Sequence, residues 1–227
     1  MSDSDVNSCA SGPRVVIIDY KLGNVRSVAN ALEAVGATVE ISSNPDTLKN
    51  AEALILPGVG AFEDGMNNLR TLGLVELLNE LVLVQKKPIL GICLGMQLMA
   101  KTGFENGIHT GLGWLDAEVV RFDFTGEISH LKVPHVGWND VRFVKESPLS
   151  GELNAPHSYY FVHSYYMRCA DTTDVAGVCE YGHEFTVALQ RDNICGVQFH
   201  PEKSQKHGLA LMKSFLTEAH QLVEAVC

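Results

Sequence analysis

The chain has no run of basic residues and few positive charges in total. Lys and Arg number 17 against 27 Asp and Glu, which gives a formal net charge of −10. Binding to a phosphate backbone needs clustered Lys and Arg, so we expect no nucleic-acid partner. The chain also lacks the stretch of about 20 apolar residues that spans a bilayer, and its first residues lack the basic and apolar parts of a secretory signal. These absences predict a cytoplasmic protein with no membrane partner.

The six cysteines form no C-x-x-C pair. Cys9, Cys93, Cys169, Cys179, Cys195 and Cys227 are scattered along the chain. A chain of 227 residues can bury a full core without disulfides or a metal, and no two cysteines stand at zinc-ligand spacing. We therefore expect no disulfide framework, no metal and no cofactor. Apart from Cys93, the cysteines are interpreted as ordinary thiols of a reducing compartment.

Short apolar strands alternate with helical periodicity in the first half of the chain. The patterns predict strands at residues 14–18, 38–41, 53–56 and 88–92, and helices at 24–36, at 66–85 and from Leu94 onward. This order predicts a parallel sheet flanked by helices, whose ligands gather at the carboxyl ends of the strands. Asp19, the turn at 57–60 and Cys93 stand at such ends, so we expect them at one edge of the sheet.

The second half of the chain has a different pattern. Short strands separated by turn residues are predicted at 118–122, 141–144, 159–162, 175–179, 186–190 and 194–199, followed by a helix at 206–226. Closely spaced strands of this kind favour antiparallel pairing. The expected architecture is one α/β domain at residues 14–227, with antiparallel strands added to a central, mostly parallel sheet. The Ser- and Asp-rich residues 1–13 are predicted to form a disordered leader.

Cys93 stands between an apolar strand and a predicted helix, with Gly91 and Gly95 on either side. The amino end of a helix favours a thiolate, and the flanking glycines allow a tight turn with close backbone approach. A buried cysteine is commonly no more than a small apolar side chain. The neighbouring residues favour a nucleophile instead.

His200 follows the strand predicted at 194–199 and is itself followed by Pro201 and Glu202. A histidine oriented by a carboxylate can activate a cysteine, which is the cysteine form of the nucleophile, base and orienting-group arrangement. Alone, His200 would be interpreted as a structural histidine at a strand end, and Glu202 as a surface charge. Together with Cys93 they form a candidate triad for the hydrolysis of an amide.

Two further features agree with acyl chemistry. Gly58, Val59 and Gly60 form a turn whose N–H groups, together with that of Leu94, can stabilise a tetrahedral oxyanion. Gln97 lies one helical turn after the nucleophile on the same face. Its amide can pair with a substrate carboxylate or amide, or it can cap a local backbone group.

Seven segments resemble class I (triad) glutamine amidotransferases and, more narrowly, the glutaminase subunits of imidazole glycerol phosphate synthases. In chain order they are 17–20 (IIDY), 23–28 (GNVRSV), 57–62 (PGVGAF), 91–97 (GICLGMQ), 132–139 (KVPHVGWN), 160–165 (YFVHSY) and 197–204 (VQFHPEKS). The resemblance implies the flavodoxin-like class I amidotransferase fold. It also implies that Cys93, His200 and Glu202 hydrolyse glutamine to glutamate and ammonia.

The same resemblance assigns substrate and partner contacts. It implies that the amino-acid end of glutamine is held by Gln97, by Glu105 and by the backbone of Ser164 and Tyr165. In this family the ammonia passes to a (β/α)8-barrel cyclase subunit, which makes imidazole glycerol phosphate and aminoimidazole carboxamide ribotide in histidine biosynthesis. That cyclase is the heterodimer partner the resemblance implies. The residues expected to face it, several of them in a loop at 134–139, are Pro134, His135, Trp138, Tyr160, His163 and Lys203.

Alternatives stay open at this point. Trp138 fits a core tryptophan as well as it fits an interface anchor. A paralogous glutaminase subunit that feeds ammonia to a different synthase, such as one that modifies a surface sugar, would carry the same motifs. A non-catalytic subunit that kept the fold would need none of the triad, so its presence weighs against that interpretation. One position departs from the family, because Lys21 stands where glycine usually follows Asp-Tyr.

Overall fold

Helices and strands alternate along the first half of the chain. The structure, a computed structural model, describes residues 12–150 and 157–224. Its α-helices are α1 (Val25–Ala34), α2 (Pro45–Lys49), α3 (Phe62–Thr71), α4 (Leu74–Asn79), α5 (Leu94–Leu98) and α6 (Gln205–Glu224). Its strands are β1 (Arg14–Ile18), β2 (Thr38–Ser42), β3 (Ala53–Gly58), β4 (Ile89–Cys93), β5 (Ala100–Gly103), β6 (His109–Thr110), β7 (Leu115–Arg121), β8 (His135–Phe143), β9 (His157–His163), β10 (Tyr165–Cys169), β11 (Val175–Glu180), β12 (Glu184–Arg191) and β13 (Ile194–Val197).

Two predictions reach outside the described residues. Only Gly12 and Pro13 of the predicted leader lie within them, and the end of the helix predicted to reach residue 226 lies beyond them. Among the helices of the described ranges, none has both the length and the apolar character that crossing a membrane requires.

One branched sheet organises the fold. Along its main path the strands stand in the order β2-β1-β3-β4-β13-β12-β10-β7-β5-β6. The four pairs from β2 to β13 are parallel, whereas the next three pairs, from β13 to β7, are antiparallel. Strands β11, β8 and β9 extend from β12 as an antiparallel arm. The parallel half and most of the added antiparallel strands lie where the sequence pattern predicts them. The exception is β13, which was expected among the antiparallel strands but pairs in parallel with β4.

The central strands are apolar along their whole length because both of their faces are buried. In β1, Val15 and Ile17 belong to one core and Val16 and Ile18 to the other. Helices α1 and α6 cover the first face, and α3, α4 and α5 cover the second. Each such side chain contributes about 1.5–3 kcal/mol when it leaves water, and a strand buried on both faces shows a continuous apolar run.

The structure corrects three local predictions. The helix predicted at 66–85 begins at Phe62, is interrupted at Gly73, where φ is 64°, and ends in a π-helical turn at Glu80–Val84. A positive φ favours glycine and stops an α-helix. The helix that starts at Leu94 has five residues before β5 follows. The loop predicted at 134–139 is mostly strand, because β8 begins at His135.

Four strand ends converge at one edge of the sheet. Asp19 directly follows β1, Gly58 ends β3, Cys93 ends β4, and His200 comes shortly after β13. Since these strands are parallel neighbours, their carboxyl ends lie side by side. The topology thus brings the candidate nucleophile and base together from segments far apart in the sequence.

Candidate active site

Cys93 occupies a sharp turn between β4 and α5. Its backbone has φ 54° and ψ −111°, a conformation that side-chain-bearing residues rarely adopt. Packing requires both flanking glycines. A Cβ added to Gly91 would lie 2.8 Å from the Met96 nitrogen, and a Cβ added to Gly95 would lie 1.7 Å from the Leu56 oxygen. Strained backbone of this kind costs about 1–3 kcal/mol and collects at functional sites. The turn matches the nucleophile elbow expected from the sequence.

His200 is buried and oriented by a carboxylate. Its Nδ1 atom lies 2.8 Å from Glu202 Oε1, and the two side chains are 3% and 2% exposed. Backbone bonds from His200 N–H to the Tyr160 carbonyl and from the Ser204 hydroxyl to the His200 carbonyl hold the residue in place. With Nδ1 committed to the carboxylate, Nε2 is the nitrogen left to exchange a proton with a thiol.

Charge around the His200 ring favours its protonated form. Burial by itself lowers the pKa of His200, but the neighbouring Cys93 and Glu202 side chains outweigh burial and raise the pKa to about 9. Nε2 makes no hydrogen bond of ordinary geometry to the residues that the structure describes, and Oε2 of Glu202 likewise has none. The site therefore favours the protonated, imidazolium form of His200.

One cavity of about 400 Å³ gathers most of the predicted site. It is lined by Val59, Gly60, Cys93, Leu94, Gln97, Glu105, Pro134, Val162, His163, Ser164, Tyr165 and His200. Glu202 contacts His200, and Gly58 directly precedes Val59, so both adjoin residues of the lining. Every residue that the sequence assigns to the nucleophile, the base and the amino-acid end of a substrate thus faces this space or supports a residue that does.

The predicted oxyanion turn lies next to the nucleophile. Gly58 pairs with Cys93 across β3 and β4, Val59 is 42% exposed, and Gly60 has φ 111°. Leu94 is the first residue of α5, where a backbone N–H has no partner within its own helix. The two segments that carry the predicted oxyanion donors therefore lie side by side at the cavity.

Gln97 and Glu105 are each held by a defined contact. Nε2 of Gln97 donates to the Tyr165 carbonyl at 3.0 Å and to Gln198 Oε1 at 2.9 Å. Oε2 of Glu105 accepts from the Phe62 N–H at 2.8 Å, so the carboxylate lies at the amino end of α3. Helix N-termini favour negative charge, and this contact fixes the Glu105 carboxylate at the cavity wall.

Gln198 is a site residue that the sequence reasoning missed. Its side chain is fully buried, and Nε2 lies 3.7 Å from Cys93 Sγ. A donor aimed at the sulfur stabilises a thiolate. The available signal was a single amide residue within an otherwise apolar strand end, two residues before His200.

The predicted partner-facing residues fall into two groups. Trp138 is 50% exposed, and Lys203 lies over the Tyr160 ring at 5.8 Å from its centre. His135 and His163, by contrast, are 3% and 6% exposed. Aromatic side chains of several strands surround both rings, which departs from the expectation that these side chains face a partner. Pro134 lines the cavity.

The departure at Lys21 has a local explanation. Its φ of 69° lies in the left-handed region, where glycine is favoured. The Asp19 carboxylate accepts from the Lys21 backbone N–H and from its Nζ, both at 3.1 Å. These bonds with Lys21 also lower the pKa of Asp19. A lysine therefore keeps the backbone conformation that a glycine would adopt.

Comparison with known proteins identifies the family. Residues 16–219 match the family Glutamine amidotransferase class-I. The imidazole glycerol phosphate synthase subunit HisH 1 of Campylobacter jejuni is 50% identical over 88% of this chain and 98% of its own length. HisH 2 subunits of Pseudomonas aeruginosa (47% identical over 89% and 98%) and Methanococcus maripaludis (45% over 90% and 100%) are similar over the same extent. These relatives confirm the resemblance seen in the sequence motifs.

Solved structures show the same architecture. A structure described as a glutamine amidotransferase superimposes with a TM-score of 0.70 at 21% identity, covering 91% of this chain and 98% of that one. The structure of PurLQS from Thermotoga maritima gives a TM-score of 0.68 at 16% identity, covering 95% and 100%. The predicted fold class is confirmed. The chain belongs to the class-I glutamine amidotransferases and, within them, to the HisH subunits of imidazole glycerol phosphate synthase.

Proposed function

We propose that this chain hydrolyses glutamine to glutamate and ammonia and delivers the ammonia to a cyclase subunit. The observation that carries the proposal is the arrangement in one cavity of a thiol on a strained elbow and a buried histidine tied to a buried carboxylate. Membership of the HisH subunits supports glutamine as the substrate and histidine biosynthesis as the pathway.

The chemistry follows from the roles of the three residues. The Cys93 sulfur attacks the side-chain carboxamide carbon of glutamine, and the imidazolium of His200 gives its Nε2 proton to the leaving ammonia. Water then attacks the glutamyl thioester while the His200 ring takes its proton, which releases glutamate and restores the thiolate. Glu202 holds the ring tautomer through Nδ1, and Gln198 donates to the sulfur. The N–H of Leu94 and those of the 58–60 turn stabilise the oxyanion.

The cavity also presents polar groups that match the amino-acid end of glutamine. The Glu105 carboxylate suits the α-ammonium of glutamine, and the Ser164–Tyr165 backbone, which the Gln97 amide holds through the Tyr165 carbonyl, suits its α-carboxylate. Recognising both ends of the substrate distinguishes glutamine from other primary amides, since an unmatched buried polar group weakens binding.

A strip of exposed apolar side chains next to the cavity fits the partner. Val136 and Trp138 on β8 are cross-strand neighbours of Val162 and Tyr160 on β9. Val136, Trp138 and Val162 are 54%, 50% and 37% exposed, and Val162 also lines the cavity. An aromatic residue within such a strip is typical of an interface centre. We therefore place the cyclase, a (β/α)8 barrel, over this strip and the cavity mouth, where ammonia can pass without entering solvent.

The test measures glutamate release from glutamine by the chain alone and with the histidine-pathway cyclase and its nucleotide ligand. We expect a large increase in the complex, abolished by Cys93→Ala. Cys169→Ala is the matched control, because Cys169 lies on β10 outside the cavity lining. Glutaminase activity that survives Cys93→Ala would contradict the triad. Activity without any effect of the cyclase would point to a different synthase as the ammonia acceptor.

A further inference from the structure

A continuous series of hydrogen bonds runs behind the cavity wall. Asn139 Nδ2 lies 3.4 Å from His135 Nε2, His135 Nδ1 lies 3.1 Å from His163 Nε2, and His163 Nδ1 lies 2.8 Å from the Tyr165 carbonyl oxygen. The series begins on β8, beside the exposed Trp138, and ends at the residue that lines the cavity at the start of β10.

The acceptor at the end of the series, the Tyr165 carbonyl, determines which atom donates in each hydrogen bond. A carbonyl oxygen only accepts, so Nδ1 of His163 carries a proton. In a neutral ring Nε2 then accepts, and Nδ1 of His135 must donate to it. Nε2 of His135 is left as an acceptor for the Asn139 amide. Each donor therefore meets an acceptor, and both tautomers are fixed without a remaining choice.

Burial keeps both rings neutral, as this assignment requires. Burial outweighs the opposing effect of the bond to the Tyr165 carbonyl and lowers the pKa of His163 to about 3, and it lowers the pKa of His135 to about 4. The His135 ring stacks between Phe161 and Tyr181, at centroid distances of 4.8 and 4.1 Å. The His163 ring packs at 5.4 Å from Phe122. The two rings have little freedom to turn.

The far end of the series fixes the backbone at the cavity. The Tyr165 carbonyl accepts from His163 and also from Gln97, so both of its lone pairs are used. The preceding carbonyl, that of Ser164, accepts from the Phe122 N–H at 3.0 Å. Both carbonyls are thus directed into the protein. The Phe122 bond fixes the Ser164–Tyr165 peptide, and the His163 and Gln97 bonds fix the peptide that follows Tyr165, so the two together set the backbone at this wall.

We propose that His135 and His163 are positioning residues that hold the Ser164–Tyr165 wall for the amino-acid end of the substrate, through a fixed pair of ring tautomers. This inference rests on the proposed glutaminase function and reassigns two residues expected at the partner interface. The inference predicts separate effects on substrate binding and on the reactivity of the Cys93 thiol. Loss of the series weakens binding of a substrate with an amino-acid end, whereas the thiol itself keeps its reactivity.

The first test uses two reagents on the full-length chain. The glutamine analogue 6-diazo-5-oxo-norleucine must occupy the cavity before it alkylates Cys93, whereas iodoacetamide needs only the thiol. We expect His163→Leu and His163→Gln to slow inactivation by the analogue, at low analogue concentration, by roughly tenfold. The iodoacetamide rate at Cys93, read by peptide mass spectrometry, is expected to stay within about twofold, since the variants leave the elbow intact.

The asparagine variant supplies the matched comparison. The amide nitrogen of His163→Asn reaches the position of Nδ1 and restores the donor to the Tyr165 carbonyl, whereas His163→Gln reaches only the position of Nε2. We expect His163→Asn to recover most of the analogue rate. Equal rates in the parent and His163→Leu, or equal slowing with both reagents, would overturn the inference. A parent that the analogue does not label at Cys93 would instead contradict the proposed function.

The second test needs no variant. Long-range nitrogen–proton NMR correlations of the histidine rings report which nitrogen carries the proton. We expect the Nδ1–H tautomer for both His135 and His163 across the neutral pH range. An Nε2–H tautomer at His163, or a protonated ring at neutral pH, would overturn the inference whatever the activity of the protein.

Discussion

Gly58 and Cys93 face each other across the parallel strands β3 and β4. A Cβ at Gly58 would lie 2.1 Å from the Tyr20 hydroxyl and 2.9 Å from the Leu94 Cβ. The oxyanion turn and the nucleophile elbow are therefore packed against each other through a position that admits no side chain. The hydroxyl of the buried Tyr20 has no hydrogen-bond partner among the residues that the structure describes.

Gly58→Ala tests this packing. The added methyl has to displace Tyr20 or the start of α5, and overpacking of this kind costs about 1–3 kcal/mol of the free energy of unfolding. Since α5 carries the Leu94 N–H, we also expect glutamate release to fall by roughly tenfold or more. Urea denaturation and the steady-state rate of the cyclase complex measure the two effects.

Tyr20→Phe is the companion variant for Gly58→Ala. It removes the buried hydroxyl, which is the atom nearest to the new methyl and which has no hydrogen-bond partner in the described part of the chain. Alone, the substitution should therefore leave the free energy of unfolding unchanged or slightly raised. In the double variant we expect part of the lost stability to return, because the Leu94 contact remains. Strict additivity of the two substitutions would show that they do not share this contact.

The parallel half of the fold was predictable because both faces of its strands are buried. Strands such as β1 and β4 then appear as continuous apolar runs, and their carboxyl ends locate Cys93 without any knowledge of side-chain contacts. The triad roles themselves stay predictions until variants are assayed. The short strands β5 and β6 were not predictable, since Ala100–Gly103 and His109–Thr110 contain no apolar run.

The environments of His135, His163 and Gln198 were not predictable for a different reason. Each is a polar residue whose burial depends on side chains from strands distant in the sequence. Phe122, Phe161 and Tyr181 surround the two histidines but come from β9 and from the segments after β7 and β11. Residue type alone favours an exposed position for such side chains. Only the assembled sheet shows that they are internal.

Glu202→Gln should alter stability in a pH-dependent way. The pKa of His200 is raised from 6.5 to about 9 in the fold, burial being outweighed by Cys93 and Glu202. The folded chain thus binds this proton more tightly than the unfolded chain, so the stabilisation is complete below pH 6.5 and is lost as the pH rises through about 9. We expect the stability gap between the parent and Glu202→Gln to be widest at the acidic end and to narrow toward pH 9. Urea denaturation across that range measures it, and a gap that widens with pH would contradict the assignment.

Trp138→Ala should weaken the proposed complex with the cyclase. Trp138 is half exposed and lies edge-on to Tyr160, with ring centres 6.1 Å apart, within the apolar strip beside the cavity. Truncation of a central aromatic anchor typically costs about 2 kcal/mol or more, which is roughly a 30-fold loss of affinity. Val84→Ala is the control, because Val84 is 68% exposed but belongs to the turn that precedes β4. Titration calorimetry separates the two, and equal affinities for both variants would place the interface elsewhere.

Asp174→Ala should destabilise the fold without changing the chemistry. The Asp174 side chain is 4% exposed, and Arg191 donates to it through Nε at 2.8 Å and Nη2 at 2.6 Å. Removing one partner of such a pair leaves a charge without its counterpart, but Arg191 is 36% exposed, so we expect a loss of about 2–3 kcal/mol in the free energy of unfolding.

The Arg168–Glu118 pair is the control. Its distance is also 2.6 Å, but its side chains are 63% and 44% exposed, so Glu118→Ala should cost less than about 1 kcal/mol. Because neither pair lines the cavity, glutamate release per folded molecule should stay at the parental value in both variants. A similar loss of stability in the two variants would show that burial does not set the strength of these ion pairs.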